Sequence, residues 1–176
     1  MFKFNKLLLI IASISVTFGA LSSTAYAGTG WYMSITNNTN EPFKVESSGA
    51  DCWYSNGISQ DKEVPAHKTV QIYSEVKNSG SCNKFFNGSW VQGFKLMAGD
   101  NFQNQVLNAI QTETWDGHFG QCSVGAQAGY RVTGKTVSCG PASSTIKYAI
   151  DVSMDSSGYL ATVTSMECTG SLSCDL

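Results

Sequence analysis

The chain has 176 residues, 42% of them hydrophobic, which suits one domain built around one core. Its formal net charge is −2 and Arg131 is its single arginine, so it lacks the basic footprint that nucleic acid requires. The same balance excludes docking on anionic lipid by charge alone.

The first 27 residues read as a secretory signal peptide. Lys3 and Lys6 form a short positive region, Leu7 to Leu21 is apolar apart from a few Ser, Thr and Gly, and Ala25-Tyr26-Ala27 supplies a small-x-small cleavage site. The apolar run is shorter than the ~20 residues a spanning helix needs, which disfavours a membrane anchor. The expected mature domain is 28–176, and losing the two leader lysines leaves nine basic against thirteen acidic side chains, a net charge of −4. The expected location is secreted, extracellular or periplasmic, and the signal peptide has a bacterial look.

Trp31 to Glu46 reads as the hairpin around which the mature chain is organised. Trp31, Met33 and Ile35 alternate with Tyr32, Ser34 and Thr36, the period-two pattern of a half-buried strand. Asn37 to Asn40 is a turn, since asparagine tolerates positive φ and bonds nearby backbone. Pro42 stands at the start of the next strand, where its missing N–H costs little. Ser47 to Gly57 is a short strand or an ordered loop. After the turn Val64 to Lys68, Thr69 to Glu75 alternates with Val70, Ile72 and Ser74 on one side and Thr69, Gln71 and Tyr73 on the other. Asn78 to Asn87 is a Gly/Ser-rich loop. Ser89 to Ala98 is a strand with Trp90, Phe94 and Leu96 on one face, turned by Gly99-Asp100-Asn101.

Asn104 to Thr114 suits a helix through Val106, Leu107 and Ile110, or a strand; its later β-branched residues favour strand. Trp115 to Gly129 is Gly-rich and reads as irregular. Thr133-Gly134-Lys135 looks like the turn of a small hairpin. Ile146 to Met154, the turn Asp155 to Gly158 and Tyr159 to Met166 form a closing hairpin whose alternation fixes its register. Several short strands with regular turn signals predict an all-β, antiparallel β-sandwich, a single domain stapled by disulfides.

All six cysteines, Cys52, Cys82, Cys122, Cys139, Cys168 and Cys174, lie in the expected exported part. An even count in a secreted chain reads as three disulfides among 15 possible pairings. Neighbour pairing is the expectation: Cys52–Cys82, Cys122–Cys139 and Cys168–Cys174. A bridge closing a loop of about 15 residues, as Cys122–Cys139 does, stabilises by ~3 kcal/mol in the chain-entropy model. No two cysteines have the CxxC spacing of a zinc ribbon, so no metal site is expected.

No catalytic set stands out. His67 and His118 are the only histidines, there is no GxSxG elbow, and the cysteines are expected to be oxidised. The chain is therefore read as a non-enzyme without a cofactor. Asn37-Asn38-Thr39 and Asn87-Gly88-Ser89 match the N-glycosylation acceptor pattern, but a bacterial leader assigns them no glycan. Trp53, Tyr54, Phe85, Phe86, Trp115 and Phe119 fall in loop-like segments. They serve either as packing residues or as a cluster that enters a lipid headgroup region or stacks on sugar.

Three blocks resemble the aegerolysins, small acidic β-sandwich proteins of fungi and bacteria. The first runs from Met33-Ser34-Ile35-Thr36-Asn37 through Val45 to Cys52-Trp53-Tyr54-Ser55-Asn56-Gly57. The second is Val64 to Ser74 with the Gly88, Gly93 and Phe94-Lys95-Leu96 stretch, and the third is Asp155 to Thr164. Actinoporin-like cytolysins are a weaker match. The resemblance implies a module that binds membrane lipid, a cytolysin or toxin component acting with a perforin-like pore-forming partner. The six cysteines and the cleaved leader depart from that family. The alternatives are a carbohydrate-binding module, with the same aromatics stacked on sugar rings, and a secreted inhibitor or structural protein.

Overall fold

The computed structural model describes residues 28–54, 58, 62–82, 88–115, 120–139 and 145–170. The leader lies outside the described residues. Eleven strands run through them: β1 (Gly30–Asn37), β2 (Phe43–Asp51), β3 (Lys62–Val64), β4 (Thr69–Glu75), β5 (Gly88–Ala98), β6 (Asn104–Trp115), β7 (Gly120–Ala126), β8 (Val132–Thr133), β9 (Lys135–Cys139), β10 (Thr145–Asp155) and β11 (Gly158–Thr169). They form a five-stranded sheet, β4-β1-β10-β11-β8, and a six-stranded sheet, β3-β2-β5-β6-β7-β9. The expected all-β sandwich is thus the fold. Most pairings are antiparallel, but β1 runs parallel to β10, and β8 parallel to β11.

The alternating apolar residues face a shared interior. Met33, Ile35, Ile72, Ile146, Ile150 and Val152 come from the first sheet, and Phe43, Val45, Phe94, Leu96, Leu107 and Val124 from the second. Burying each such side chain contributes ~1.5–3 kcal/mol. Cys52–Cys82 and Cys122–Cys139 are bridged as expected. Cys168 is also disulfide-bonded, while its expected partner Cys174 lies outside the described residues. Asn104 to Thr114 is strand, within β6, and the closing hairpin joins β10 to β11 as expected, with a bulge that shifts the register between Ala149 and Ile150.

Three local expectations are corrected. Trp31 to Glu46 is an arch between sheets, since β1 pairs with β4 and β10 while β2 pairs with β3 and β5. The buried Asn37 amide makes the arch. Its Nδ2 donates to Glu41 O at 2.7 Å and Val64 O at 3.1 Å, and its Oδ1 accepts from Thr39 N at 2.9 Å and Thr39 Oγ1 at 2.7 Å. These bonds also commit the amide that the acceptor pattern would modify. We predict that Asn37→Ala lowers stability by about 2–3 kcal/mol, because buried donors and acceptors lose their partners; urea denaturation of both proteins measures it, and a loss below about 0.5 kcal/mol would refute this role.

Thr133-Gly134-Lys135 is likewise a crossing between sheets and not a hairpin, β8 pairing with β11 and β9 with β7. Gly134 permits it: a Cβ there would lie 2.2 Å from Val124 O. Trp115 to Gly129, expected to be irregular, contains β7, paired with both β6 and β9. Its glycine content marks close packing, for a Cβ on Gly120 would stand 2.8 Å from Cε2 of Trp115.

The closing turn is held from outside by Arg131, whose Nη1 and Nη2 donate to Asp155 Oδ1 and Oδ2 at 2.9 and 2.8 Å. The Arg131 hydrogen bonds, followed by the Ser157 N–H bond, bring the Asp155 pKa from 3.8 down to about 2. A depressed carboxylate pKa stabilises the fold above the unfolded value and ceases to do so as pH falls from 3.8 through about 2. NMR titration should therefore find the Asp155 midpoint near 2, and in Arg131→Gln it should return toward 3.8. An unmoved midpoint would show that Arg131 does not set it.

Candidate functional site

The aromatic residues singled out from the sequence do not form one exposed cluster. Trp53 and Trp115 are each only 6% exposed. Trp53 sits in a bridge with Val76, its ring 5.6 Å from that of Trp31. The lipid-contact role expected of these two rings is corrected to packing, because a ring closed between two sheets cannot meet a membrane surface. Tyr54 is 44% exposed. Phe85, Phe86, Phe119 and His118 lie outside the described residues. His67 is exposed, with Nε2 2.9 Å from Asn40 Oδ1. Among the described residues, no three His, Cys, Asp or Glu side chains gather as a metal set.

Trp115 belongs to a polar knot within the core. The fully buried Glu113 accepts from Thr29 Oγ1 at 2.9 Å, Trp31 Nε1 at 3.1 Å and Trp115 Nε1 at 2.7 Å. Nearby, Gln111 Nε2 donates to Tyr148 Oη at 2.8 Å. Burial pushes the Tyr148 phenol well up, and the Gln111 bond opposes that shift. Thr29, Trp31 and Tyr148 belong to the first-sheet side and Gln111, Glu113 and Trp115 to the second, so the knot pins the two sheets together. The sequence gives one weak sign of it: Gln111, Glu113 and Trp115 alternate on one face of β6, but the apolar alternation of Val106 and Ile110 lies on the other.

The accessible feature is the outer face of the five-stranded sheet. Register brings side chains from four strands into rows. Tyr73, Tyr32, Lys147 and Glu167 form one row. Gln71, Ser34, Ala149 and Ser165 form the next, and Thr69, Thr36, Asp151 and Thr162 a third. The middle row carries small side chains on its three inner strands. Beside Tyr32, Lys147 and Glu167 of the first row it leaves a depression of about 230 Å³, lined by these side chains and by the middle row itself. Drug-sized ligands occupy pockets of ~300–1,000 Å³. This one suits a sugar ring or a headgroup better than an acyl chain.

No family model and no curated protein matches this chain.

The aromatic end of the depression is held firmly. The Tyr32 and Tyr73 rings lie 4.8 Å apart between centroids, tilted by 49°. Tyr73 rests over Gly30, where a Cβ would stand 3.1 Å from its Cε2, and still exposes 48% of its surface. Its hydroxyl donates to Glu75 Oε2 at 2.9 Å. Burial, reinforced by that hydrogen bond and the carboxylate charge, raises the Tyr73 pKa to about 12. The phenol is therefore neutral at physiological pH, with its proton directed to Glu75 and its ring held over Gly30 and against Tyr32, the aromatic that lines the depression. The sequence placed Tyr32, Ser34, Gln71 and Tyr73 on outward faces; it held no sign that Lys147 and Glu167 join them.

Proposed function

We propose that the mature chain is an exported, non-enzymatic β-sandwich module that binds carbohydrate on the outer face of the β4-β1-β10-β11 strands. The observation that carries this reading is the Tyr73–Tyr32–Lys147–Glu167 row beside a ring-sized depression. Tyrosine rings offer a flat apolar body with a polar tip, suited to the C–H face of a sugar. Lys147, Ser34 and Gln71 supply donors, and Glu167 and Gln71 supply acceptors, for hydroxyl groups that do both. The disulfides suit an oxidising compartment, in keeping with export.

The resemblance to the aegerolysins supports the rival, binding of a membrane lipid, and vesicles are the second arm of the test. Tyr73→Ala should weaken retention on polysaccharide gels about tenfold or more, a change of ~1.4 kcal/mol in binding. Its stability should shift by no more than about 1 kcal/mol, since the ring is half exposed. Affinity electrophoresis through embedded polysaccharides and co-sedimentation with phosphatidylcholine–sphingomyelin vesicles measure the two arms. Wild-type protein that sediments with vesicles and passes every polysaccharide unretarded would overturn the carbohydrate reading in favour of lipid.

A further inference from the structure

We propose that the ligand is a neutral glycan chain lying across the strands and held along its interior, with neither end enclosed. This inference rests on the reading of the outer face as a saccharide site and concerns which saccharide it takes. The depression is lined from Gln71 on β4 to Ser165 on β11, three interstrand steps of ~4.8 Å, or roughly 14 Å. Its floor is low because Ser34, Ala149 and Ser165 are small. Gln71 and Ser165, at the two extremes of the floor, are both exposed, so among the described residues neither end is walled. A blind pocket would select a terminal sugar; an open trough admits a chain passing through.

Charge selects against an acidic glycan. Lys147 is the one cation in the three rows and Lys62 Nζ lies 3.2 Å from Gln71 O at the β4 edge, against Glu167 and Asp151 in the rows and Glu75 beside Tyr73. A uronate or sulfate placed on the floor would meet more negative than positive charge. A neutral chain uses both signs, since each of its hydroxyls can donate to a carboxylate and accept from Lys147 or a Ser or Thr hydroxyl. Tyr32 on β1, backed by Tyr73, supplies the stacking position, and the β11 end supplies hydrogen bonds only. Affinity should therefore grow with chain length as successive rings reach the β11 side.

The test is an array of immobilised neutral and acidic glycans graded from one to six sugars, followed by calorimetry on the strongest binder and its shorter homologues. Neutral glycans of three or more sugars should bind about tenfold or more tightly than the matching monosaccharide, and modifying either end should change little. Ser165→Trp fills the floor at the β11 end, far from Tyr73. It should reduce affinity for the longest glycan about tenfold, and for the monosaccharide by less, while the melting temperature shifts by no more than about a degree or two; Ser165→Tyr replaces it if the tryptophan protein does not fold. Equal affinity for one and six sugars, preference for acidic glycans, or indifference to Ser165 substitution would overturn the chain reading while preserving a saccharide site. Silence across the whole array would overturn the proposed carbohydrate function itself.

Discussion

Glu113→Ala should destabilise the protein by about 3–5 kcal/mol. Three buried groups, Thr29 Oγ1, Trp31 Nε1 and Trp115 Nε1, donate to this carboxyl. A buried group that loses its partner costs ~1–3 kcal/mol, and relaxation around the shortened side chain recovers part of the sum. Glu113→Gln fills the same volume, but its amide NH₂ would face an N–H or O–H donor in place of an acceptor. It should cost less than alanine and more than about 1 kcal/mol. Guanidinium denaturation monitored by tryptophan fluorescence gives both values. A double-mutant cycle with Trp31→Phe should show coupling above about 0.5 kcal/mol, as residues sharing a hydrogen bond do. Additive effects would mean that Glu113 and Trp31 do not act together across the sheets.

Trp53→Ala should also cost about 3–5 kcal/mol, the range for deleting a large buried aromatic. The ring is 6% exposed and packs against Trp31. Trp53→Phe should be far milder, within about 1.5 kcal/mol, because the indole N–H has no hydrogen-bond partner among the described residues and phenylalanine keeps much of the apolar contact. The pair of variants separates packing from surface contact. A tryptophan that touched ligand would lose binding in both variants at nearly constant stability. A packing tryptophan loses stability in the alanine variant, and the phenylalanine variant keeps both fold and binding. If Trp53→Ala melts within a degree of the wild type, the ring's buried position is wrong.

These outcomes bear on how far the residues announce their roles. Tryptophan in a segment without alternation looks available, and on that ground the sequence points Trp53 and Trp115 to ligand contact. Trp53 lies outside any strand that alternation reveals, and Trp115 stands at the end of β6, facing a β7 that alternation does not reveal. Trp53 makes one bridge to Val76, and Trp115 ends β6 where Gly120 begins β7. The glycines that made this region look irregular are what let the Trp115 ring pack against backbone. Glu113 is inconspicuous in the sequence for the converse reason. A carboxylate is rarely fully buried, and two of its three partners, Thr29 and Trp31, come from sequence positions that only the folded sheets bring near it.

The sequence by itself determined which stretches are strands and which side chains point inward on β1, β4, β5, β10 and β11. Period-two alternation is a local property, set by the pleat and by the cost of exposing apolar side chains. The closing hairpin was legible for the same reason, since its turn and both strands are contiguous. Only the tertiary structure decided which strands become neighbours. A hairpin and an arch share one alternation pattern, and the Asn37 amide, bonded to Val64 across the arch, turns Trp31 to Glu46 into the arch. The parallel pairing of β1 with β10 joins distant parts of the chain, and it alone sets Lys147 beside Tyr32. Each residue of the candidate site carries an outward position in its own strand; the row they make is fixed by non-local register, which no local pattern encodes.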